Sequence, residues 1–253
     1  MAYKFNKKKL FSVLILIFYL ASLRANNQVE LKTFDWSKEL IWDWTKIDTA
    51  KVRFSKNFLW GVSTAEYQVS GIIDPLHVNN WSMFERQKGY QSAGKSCNHW
   101  NRCSEDIQLI KQLGVKAYRF SVEWSKIEPV MGQFDKEALL HYKDFCRQLR
   151  ENGIEPMVTL HHFTNPVWFQ VRKHFEKEEN IKYFTRFSLR VFEELKDYVT
   201  LWCTINEPAI YAFSGYILGD FPPGHVMDFK SAGNVIKNFM IAHCEVYREI
   251  KKR

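Results

Sequence analysis

Asn206, Glu207 and Pro208 are the residues of this sequence whose types and order are best suited to chemistry. They close an apolar run, residues 198–205, that is typical of a buried strand. A carboxylate at the end of a buried strand is costly unless it is paired, hydrogen-bonded or functional. Such a glutamate could protonate the leaving oxygen of a glycosidic bond while the amide holds a sugar hydroxyl. A plain turn from strand to loop explains three residues alone equally well.

Alternating strands and helices would have to position these side chains. The pattern predicts strands at residues 58–63, 116–124, 155–163 and 198–206, and helices at residues 105–113, 135–152, 180–196 and 231–253. It predicts loops at residues 64–100 and 209–230. Asp135 is the expected N-cap of the second helix, whose Leu139, Tyr142, Phe145 and Leu149 share one face. Strands that alternate with helices imply a parallel sheet.

Polar residues recur where the predicted strands end, at Gln68, Arg119, His161, His162 and Asn206. In a (β/α)8 barrel, active sites lie at this C-terminal end of the strands. No G-x-G-x-x-G follows any strand, which argues against a dinucleotide site. The pattern therefore predicts an α/β fold with its site at one edge of the sheet.

Composition excludes several other classes of protein. The formal net charge is +8, but no basic stripe alternates with base-stacking aromatic residues, so nucleic-acid binding is not expected. Five cysteines without CxxC spacing argue against a disulfide framework and a zinc site. Cys146, Cys203 and Cys244 lie in apolar periodic segments and are predicted to be core thiols. No metal or organic cofactor is expected.

The first 25 residues differ from the rest of the chain. Lysines at positions 4 and 7–9 precede an apolar run at residues 10–21 and a small residue, Ala25. This order predicts a secretory signal peptide, followed by a domain at residues 26–253. The run is short for a membrane span. Export is the favoured interpretation, an uncleaved membrane-associated leader is an alternative, and a cytoplasmic location is a further one.

Five motifs, in order from about residue 54 to the C-terminus, carry a resemblance to a known family. They are Phe58-Leu-Trp-Gly-Val-Ser-Thr-Ala-Glu-Tyr-Gln-Val-Ser-Gly71, Gly114-Val-Lys-Ala-Tyr-Arg-Phe-Ser-Val-Glu-Trp124, Thr159-Leu-His-His-Phe-Thr-Asn-Pro166, Trp202-Cys-Thr-Ile-Asn-Glu-Pro208, and Gly215-Tyr216 with Pro222-Pro-Gly224 and residues 238–243. Together they resemble glycoside hydrolase family 1, which includes β-glucosidases, phospho-β-glucosidases and lactases. The resemblance implies a (β/α)8 TIM barrel, truncated here to about the first four β/α units.

The resemblance also implies roles for individual residues in a retaining β-glycosidase. Glu207 matches the general acid/base, and Asn206 matches the side chain that binds the sugar 2-hydroxyl. Gln68 and His162 match residues that hold other hydroxyls of the same sugar. Arg119 matches the guanidinium that steadies the nucleophilic carboxylate. Gln68 could instead cap a loop, Arg119 could be an ordinary ion-pair partner, and His161, given no role, could be a core histidine.

The nucleophile of the family has no match in this sequence. A retaining enzyme needs two carboxylates about 5–5.5 Å apart. The family's second one lies in a Thr-Glu-Asn-Gly-like motif on the seventh strand. The letters Glu151-Asn152-Gly153 end a predicted helix and are interpreted as a helix stop. The chain is thus expected to be the N-terminal half of the barrel, inactive alone.

Three readings of such a half remain open at this point. The first is a β-glycosidase half whose partner, a C-terminal half or a second chain, completes the barrel around a β-glycoside. The second is a sugar-binding or partner-completing half-barrel without hydrolase activity. The third is a product that does not fold. Phe163 and Thr164, where the family commonly has Trp and Asp, leave the preferred sugar open.

Overall fold

The computed structural model describes residues 44–48, 50–51, 53–71 and 74–253. The chain divides into two units after Lys56, and the described part of the first contains a short 3-10 helix, Trp44–Lys46. The predicted leader, residues 1–25, lies outside the described residues. Among the helices that are described, none is both long and apolar enough to cross a membrane.

The second unit contains a four-stranded parallel sheet with the order β1-β2-β3-β4. The strands are β1 Gly61–Ser63, β2 Ala117–Ser121, β3 Glu155–His161 and β4 Leu201–Ile205. The α-helices are α1 Glu66–Ser70, α2 Asn80–Lys88, α3 His99–Gln112, α4 Trp124–Ile127, α5 Lys136–Glu151, α6 Val167–Val171, α7 Ile181–Leu195, α8 Pro208–Phe213 and α9 Phe229–Lys251. A π-helix covers Ser214–Leu218, and 3-10 helices cover Pro75–His77, His174–Glu176 and Glu178–Asn180.

This sequential parallel order is that of four β/α units of a (β/α)8 barrel, as predicted. The predicted loops were wrong in two places, because residues 64–100 contain α1 and α2, and residues 209–230 contain α8 and the π-helix. α2 begins at a capping box in which Asn79 and Ser82 satisfy each other's backbone N–H groups. Serine in place of the usual glutamate or glutamine hides this signal from a sequence pattern.

The core fills the space between the sheet and the helices that cover it. On α5 the predicted face is buried, and the Asp135 side chain accepts a hydrogen bond from the Ala138 N–H at 2.9 Å. Trp124, at the start of α4, stacks on Phe187 of α7 with 4.7 Å between ring centroids. Since aromatic rings bury large apolar areas, this contact fastens the end of β2 to α7.

Among the strands that the structure describes, β4 lies at an edge of the sheet, and this position corrects two predictions. Its residues run from exposed to half-buried, whereas Val158 and Leu160 of the neighbouring β3 are fully buried. An edge strand has a neighbour on one side only, so the apolar run before Glu207 is not enclosed. Accordingly Cys203 on β4 is half-buried. Cys244 lies on α9 and is exposed, so only Cys146 of the three predicted core thiols is buried.

Candidate active site

The polar strand ends lie side by side because backbone hydrogen bonds continue past the strands. The Thr64 N–H donates to the Arg119 carbonyl at 3.0 Å, and the Val122 N–H donates to the Thr159 carbonyl at 3.1 Å. The Asn206 N–H donates to the His161 carbonyl at 2.9 Å. These bonds hold the C-terminal ends of the four strands in line. The predicted edge of the sheet is therefore where the predicted polar residues meet.

Arg119, Asn206 and His162 form one hydrogen-bonded row across three strand ends. Arg119 Nη1 donates to Asn206 Oδ1 at 3.4 Å, and Asn206 Nδ2 lies 3.3 Å from His162 Nε2. A guanidinium can only donate, so Asn206 must turn its oxygen to Arg119 and its NH2 group to His162. His162 Nε2 is then the acceptor, and Nδ1 carries the proton. Both contacts are long, which leaves room for a ligand to compete for them.

His162 is uncharged at neutral pH in this environment. Burial, and secondarily the charge of Arg119, lower the pKa of His162 to about 4. A neutral imidazole offers one donor and one acceptor, which suits a sugar hydroxyl. The electrostatics of the row thus agree with hydroxyl binding and disagree with a charged-histidine role.

Glu207 follows Asn206 in the chain, but it is exposed, contrary to the buried strand end predicted from the sequence. Because β4 is the edge strand, nothing in the described residues covers its end. Glu207 has φ of 42° and ψ of 61°, a left-handed conformation that is uncommon for a residue with a side chain. Pro208 begins α8 immediately after it, and the Glu207 carboxylate does not cap that helix. The carboxylate therefore lies exposed at the turn between β4 and α8.

Gln68 and His162 share a cavity of 520 Å³ at the same end of the sheet. Gln68 lies on α1, just after β1, and His162 follows β3. Trp81, Phe163 and Phe221 form aromatic walls, with 4.8 Å between the ring centroids of Trp81 and Phe221. Arg119, Asn206 and Glu207 are not among the described lining residues, so His162 is the link between the cavity and the row.

A buried ion pair supports the helix that carries Gln68. Lys126 Nζ lies 2.7 Å from Glu66 Oε1, and it lies 4.2 Å from the centroid of the Trp100 ring. Both charged side chains are at most 4% exposed. Removing one partner of such a pair would leave an uncompensated buried charge, so the pair holds α1 strictly in place. The periodic pattern of the sequence contained no signal for this pair.

Asn165 is a positioning residue that sequence reasoning missed. Its Oδ1 lies 3.1 Å from His161 Nε2, and its Nδ2 lies 2.9 Å from the Tyr211 hydroxyl. Its N–H donates to Asn80 Oδ1 at 2.7 Å, which ties α2 to the end of β3. Between His161 and Asn165, the backbone at Phe163 has a positive φ of 71°. His161 is the buried core histidine considered above, and its pKa is lowered to about 4 by burial.

A parallel sheet in sequential order, covered by helices and carrying its polar side chains at the C-terminal strand ends, is the arrangement of a (β/α)-barrel protein. The sequence profile of Glycosyl hydrolase family 1 matches residues 50–253. The chain belongs to this family.

Individual relatives agree with that assignment. The chain is 34% identical over 211 residues to Beta-glucosidase A of Acetivibrio thermocellus, covering 79% of this chain and 47% of the relative. It is 33% identical over 196 residues to a 6-phospho-beta-galactosidase of Clostridium acetobutylicum, covering 76% and 41%. The solved Thermotoga maritima beta-glucosidase in complex with deoxynojirimycin superposes with a TM-score of 0.75 at 34% identity, covering 79% and 47%. The chain spans about half the length of these relatives.

Proposed function

We propose that this chain contributes the acid/base side of the active site of a retaining β-glycosidase, which hydrolyses β-linked O-glycosyl bonds. The observation that carries the proposal is the row from Arg119 through Asn206 to His162, whose middle residue, Asn206, is followed in the chain by Glu207. Family membership supports the reaction class, and two of the relatives above are named for β-glucosidase activity.

Each site residue has a role in this proposal that its chemistry allows. Glu207 protonates the leaving glycosidic oxygen and then activates water, and its exposed carboxylate is accessible to both. Asn206 binds the sugar 2-hydroxyl through the amide that the row orients. Gln68 and His162 bind further hydroxyls in the cavity they share. Arg119, which has no ion pair with any described residue, is available to steady a nucleophilic carboxylate.

We propose that the nucleophile comes from polypeptide outside these 253 residues. Glu151 is unsuitable, because it ends α5 before β3 begins and therefore lies toward the opposite end of the sheet from Glu207. It is also exposed and paired with Arg147 at 2.5 Å. The chain by itself is then expected to show no appreciable turnover.

The substrate in this proposal is a β-glycoside, and the leader, which lies outside the described residues, would export the protein or associate it with a membrane. The named relatives include both β-glucosidases and a 6-phospho-β-galactosidase, so the family alone permits neutral and phosphorylated sugars.

The test is an aryl β-glycoside hydrolysis assay of the chain alone and of the chain mixed with a family 1 polypeptide that carries the remaining strands. We expect no turnover alone and turnover in the mixture. Glu207→Gln should lower that turnover at least about a hundredfold, because the proton donor is lost. Glu151→Gln is the matched control and should have no effect. Turnover by the chain alone would contradict the external nucleophile, and an active Glu207→Gln mixture would contradict the role of Glu207.

A sugar-binding or partner-completing half-barrel without hydrolysis is the second candidate. It is favoured by the open side of β4, where a groove of 710 Å³ lies between α7 and α9. Its apolar lining includes Phe192, Trp202, Ile205, Phe239 and Tyr247. A second chain that added a parallel strand there would cover it. Glycoside binding by the mixture without any turnover would support this candidate over the first.

A further inference from the structure

Glu85 lines the cavity that contains Gln68 and His162, yet none of the roles above involves it. It is the sole acidic side chain among the described residues of the cavity wall, and it is half-buried. The wall otherwise offers the Gln68 amide, the neutral His162 ring, hydroxyls and aromatic faces. A carboxylate in such a lining is a strong acceptor in a partly dry environment, where electrostatic interactions are less screened than in water.

One oxygen of Glu85 is anchored and the other is free. The Ala93 N–H donates to Oε2 at 3.2 Å. Oε1 makes no hydrogen bond of regular geometry within the described residues, although the Tyr67 hydroxyl lies beside the carboxylate and interacts with it. The helix beneath is also held in place, because the Asn80 side chain donates to the Phe163 carbonyl at 3.1 Å and accepts from the Asn165 N–H. The free oxygen therefore has a defined position on the cavity wall.

Tyr67 provides a second observation beside Glu85. Its hydroxyl is buried and has no hydrogen-bond partner among the described residues, although the ring lines the same cavity. Burial and the neighbouring Glu85 raise the pKa of Tyr67, so the hydroxyl keeps its proton. A buried donor without a partner is costly, and the adjacent carboxylate is the acceptor that could satisfy it. Tyr67 is thus suited to position Glu85, rather than to touch a ligand itself.

We propose that Glu85 is a specificity-determining residue of the cavity, whose free oxygen accepts a hydrogen bond from a hydroxyl of an uncharged β-glycoside and repels a phosphorylated one. The inference rests on the proposed function, since it assumes that the cavity binds the glycoside. Hydrogen bonds to ionised groups are about twice as strong as neutral ones. A like charge placed against the wrong ligand provides discrimination in addition to the attraction for the right one.

The experiment compares the wild-type chain with Glu85→Gln and with Glu105→Gln, which removes the same charge from an exposed position on α3 outside the cavity. Calorimetry measures the Kd of methyl β-D-glucopyranoside and of its 6-phosphate. We expect Glu85→Gln to weaken binding of the uncharged glycoside about tenfold and to strengthen binding of the 6-phosphate. Glu105→Gln should change neither Kd.

The two Kd values are expected to change in opposite directions if Glu85 contacts the ligand. A purely structural role would weaken the binding of both ligands. Equal changes for the two ligands, unchanged values, or no binding of either ligand by the wild type would each overturn the proposal. If Glu85→Gln fails to fold, Tyr67→Phe decides, with weaker binding of the uncharged glycoside alone in support and unchanged binding against. The two proposals can fail separately. If hydrolysis depends on Glu207 but Glu85→Gln binds both ligands with the wild-type Kd, the proposed function stands and the role of Glu85 is refuted.

Discussion

At the scale of single residues, the hydrogen bonds of the site are directed by Arg119, whose guanidinium can donate hydrogen bonds but cannot accept them. Arg119 has no acceptor, so it determines how Asn206 is turned, and Asn206 in turn determines which nitrogen of His162 is protonated. The same guanidinium contributes to the lowered pKa of His162. One arginine therefore orients a residue on the cavity wall and adds to the lowering of its pKa, for which burial is the larger cause.

Replacing Arg119 should raise the pKa of His162. Arg119→Gln removes the positive charge, while burial, the larger cause, remains, so the pKa should rise above about 4 and stay below its ordinary value. An NMR titration of the His162 ring protons measures this. Arg119→Lys is the control, and because it keeps the charge it should leave the titration near the wild-type midpoint. An unchanged pKa in Arg119→Gln would refute the electrostatic coupling.

At the scale of elements, helices hold the strand ends to which the site is attached. α4 starts with Trp124 three residues after β2, and its ring packs on Phe187 and Phe169, with centroid distances of 4.7 and 4.6 Å. The Trp124 Nε1–H donates to Glu128 Oε2 at 2.9 Å. Aromatic packing against α6 and α7 thus adds to the backbone hydrogen bonds that hold the end of β2.

Phe187→Ala should destabilise the fold by about 3–5 kcal/mol, since it leaves a cavity beside Trp124 in place of a fully buried ring. Urea unfolding followed by tryptophan fluorescence measures the free energy of unfolding. Arg190→Ala, on the exposed part of the same helix, should cost less than about 1 kcal/mol because its pair with Glu194 is partly exposed. An equal decrease in the free energy of unfolding of the two variants would show that α7 is not packed as described.

At the scale of the whole molecule, buried polar groups constrain the described fold from the inside. His161 and His174 are each about 1% exposed, and burial lowers their pKa values to about 4 and about 3. Glu176 Oε1 lies 3.7 Å from His174 Nε2, but burial is the larger effect and the pKa of His174 remains lowered. Each must remain neutral for the chain to stay folded, which makes the molecule sensitive to acid.

The free energy of unfolding should fall as the pH drops from about 6.5 to about 4. In this window the unfolded chain binds protons at its histidines and the folded chain does not, so protonation favours unfolding. For His161 alone the loss is about 3 kcal/mol, at 1.36 kcal/mol for each unit of its pKa shift.

Urea unfolding at a series of pH values measures this slope. His161→Asn should be less stable at neutral pH, through lost packing, but should have a shallower slope between the two limits. A variant with the wild-type slope would contradict the contribution of His161.

Much of the architecture was predictable because it depends on local pattern. The apolar face of α5, the Asp135 cap and the parallel sheet were predicted correctly, since helical periodicity and β/α alternation depend on residues close together in the chain. The family motifs and the strand pattern both predicted polar residues at the C-terminal ends of the strands. α1, α2 and α8 were missed, because short helices within loops show too little periodicity to be recognised.

The sequence by itself determined the family, the four β/α units and the polar residues at the strand ends, because each depends on residues close together in the chain. Only the tertiary structure decided that Glu207 is exposed and that Cys203 and Cys244 are not core thiols, since exposure depends on which neighbours cover a residue. It also brought Asn165 to Asn80, Lys126 to Glu66, and Glu85 to the cavity of Gln68 and His162. These contacts join residues far apart in the chain, and no local pattern encodes them.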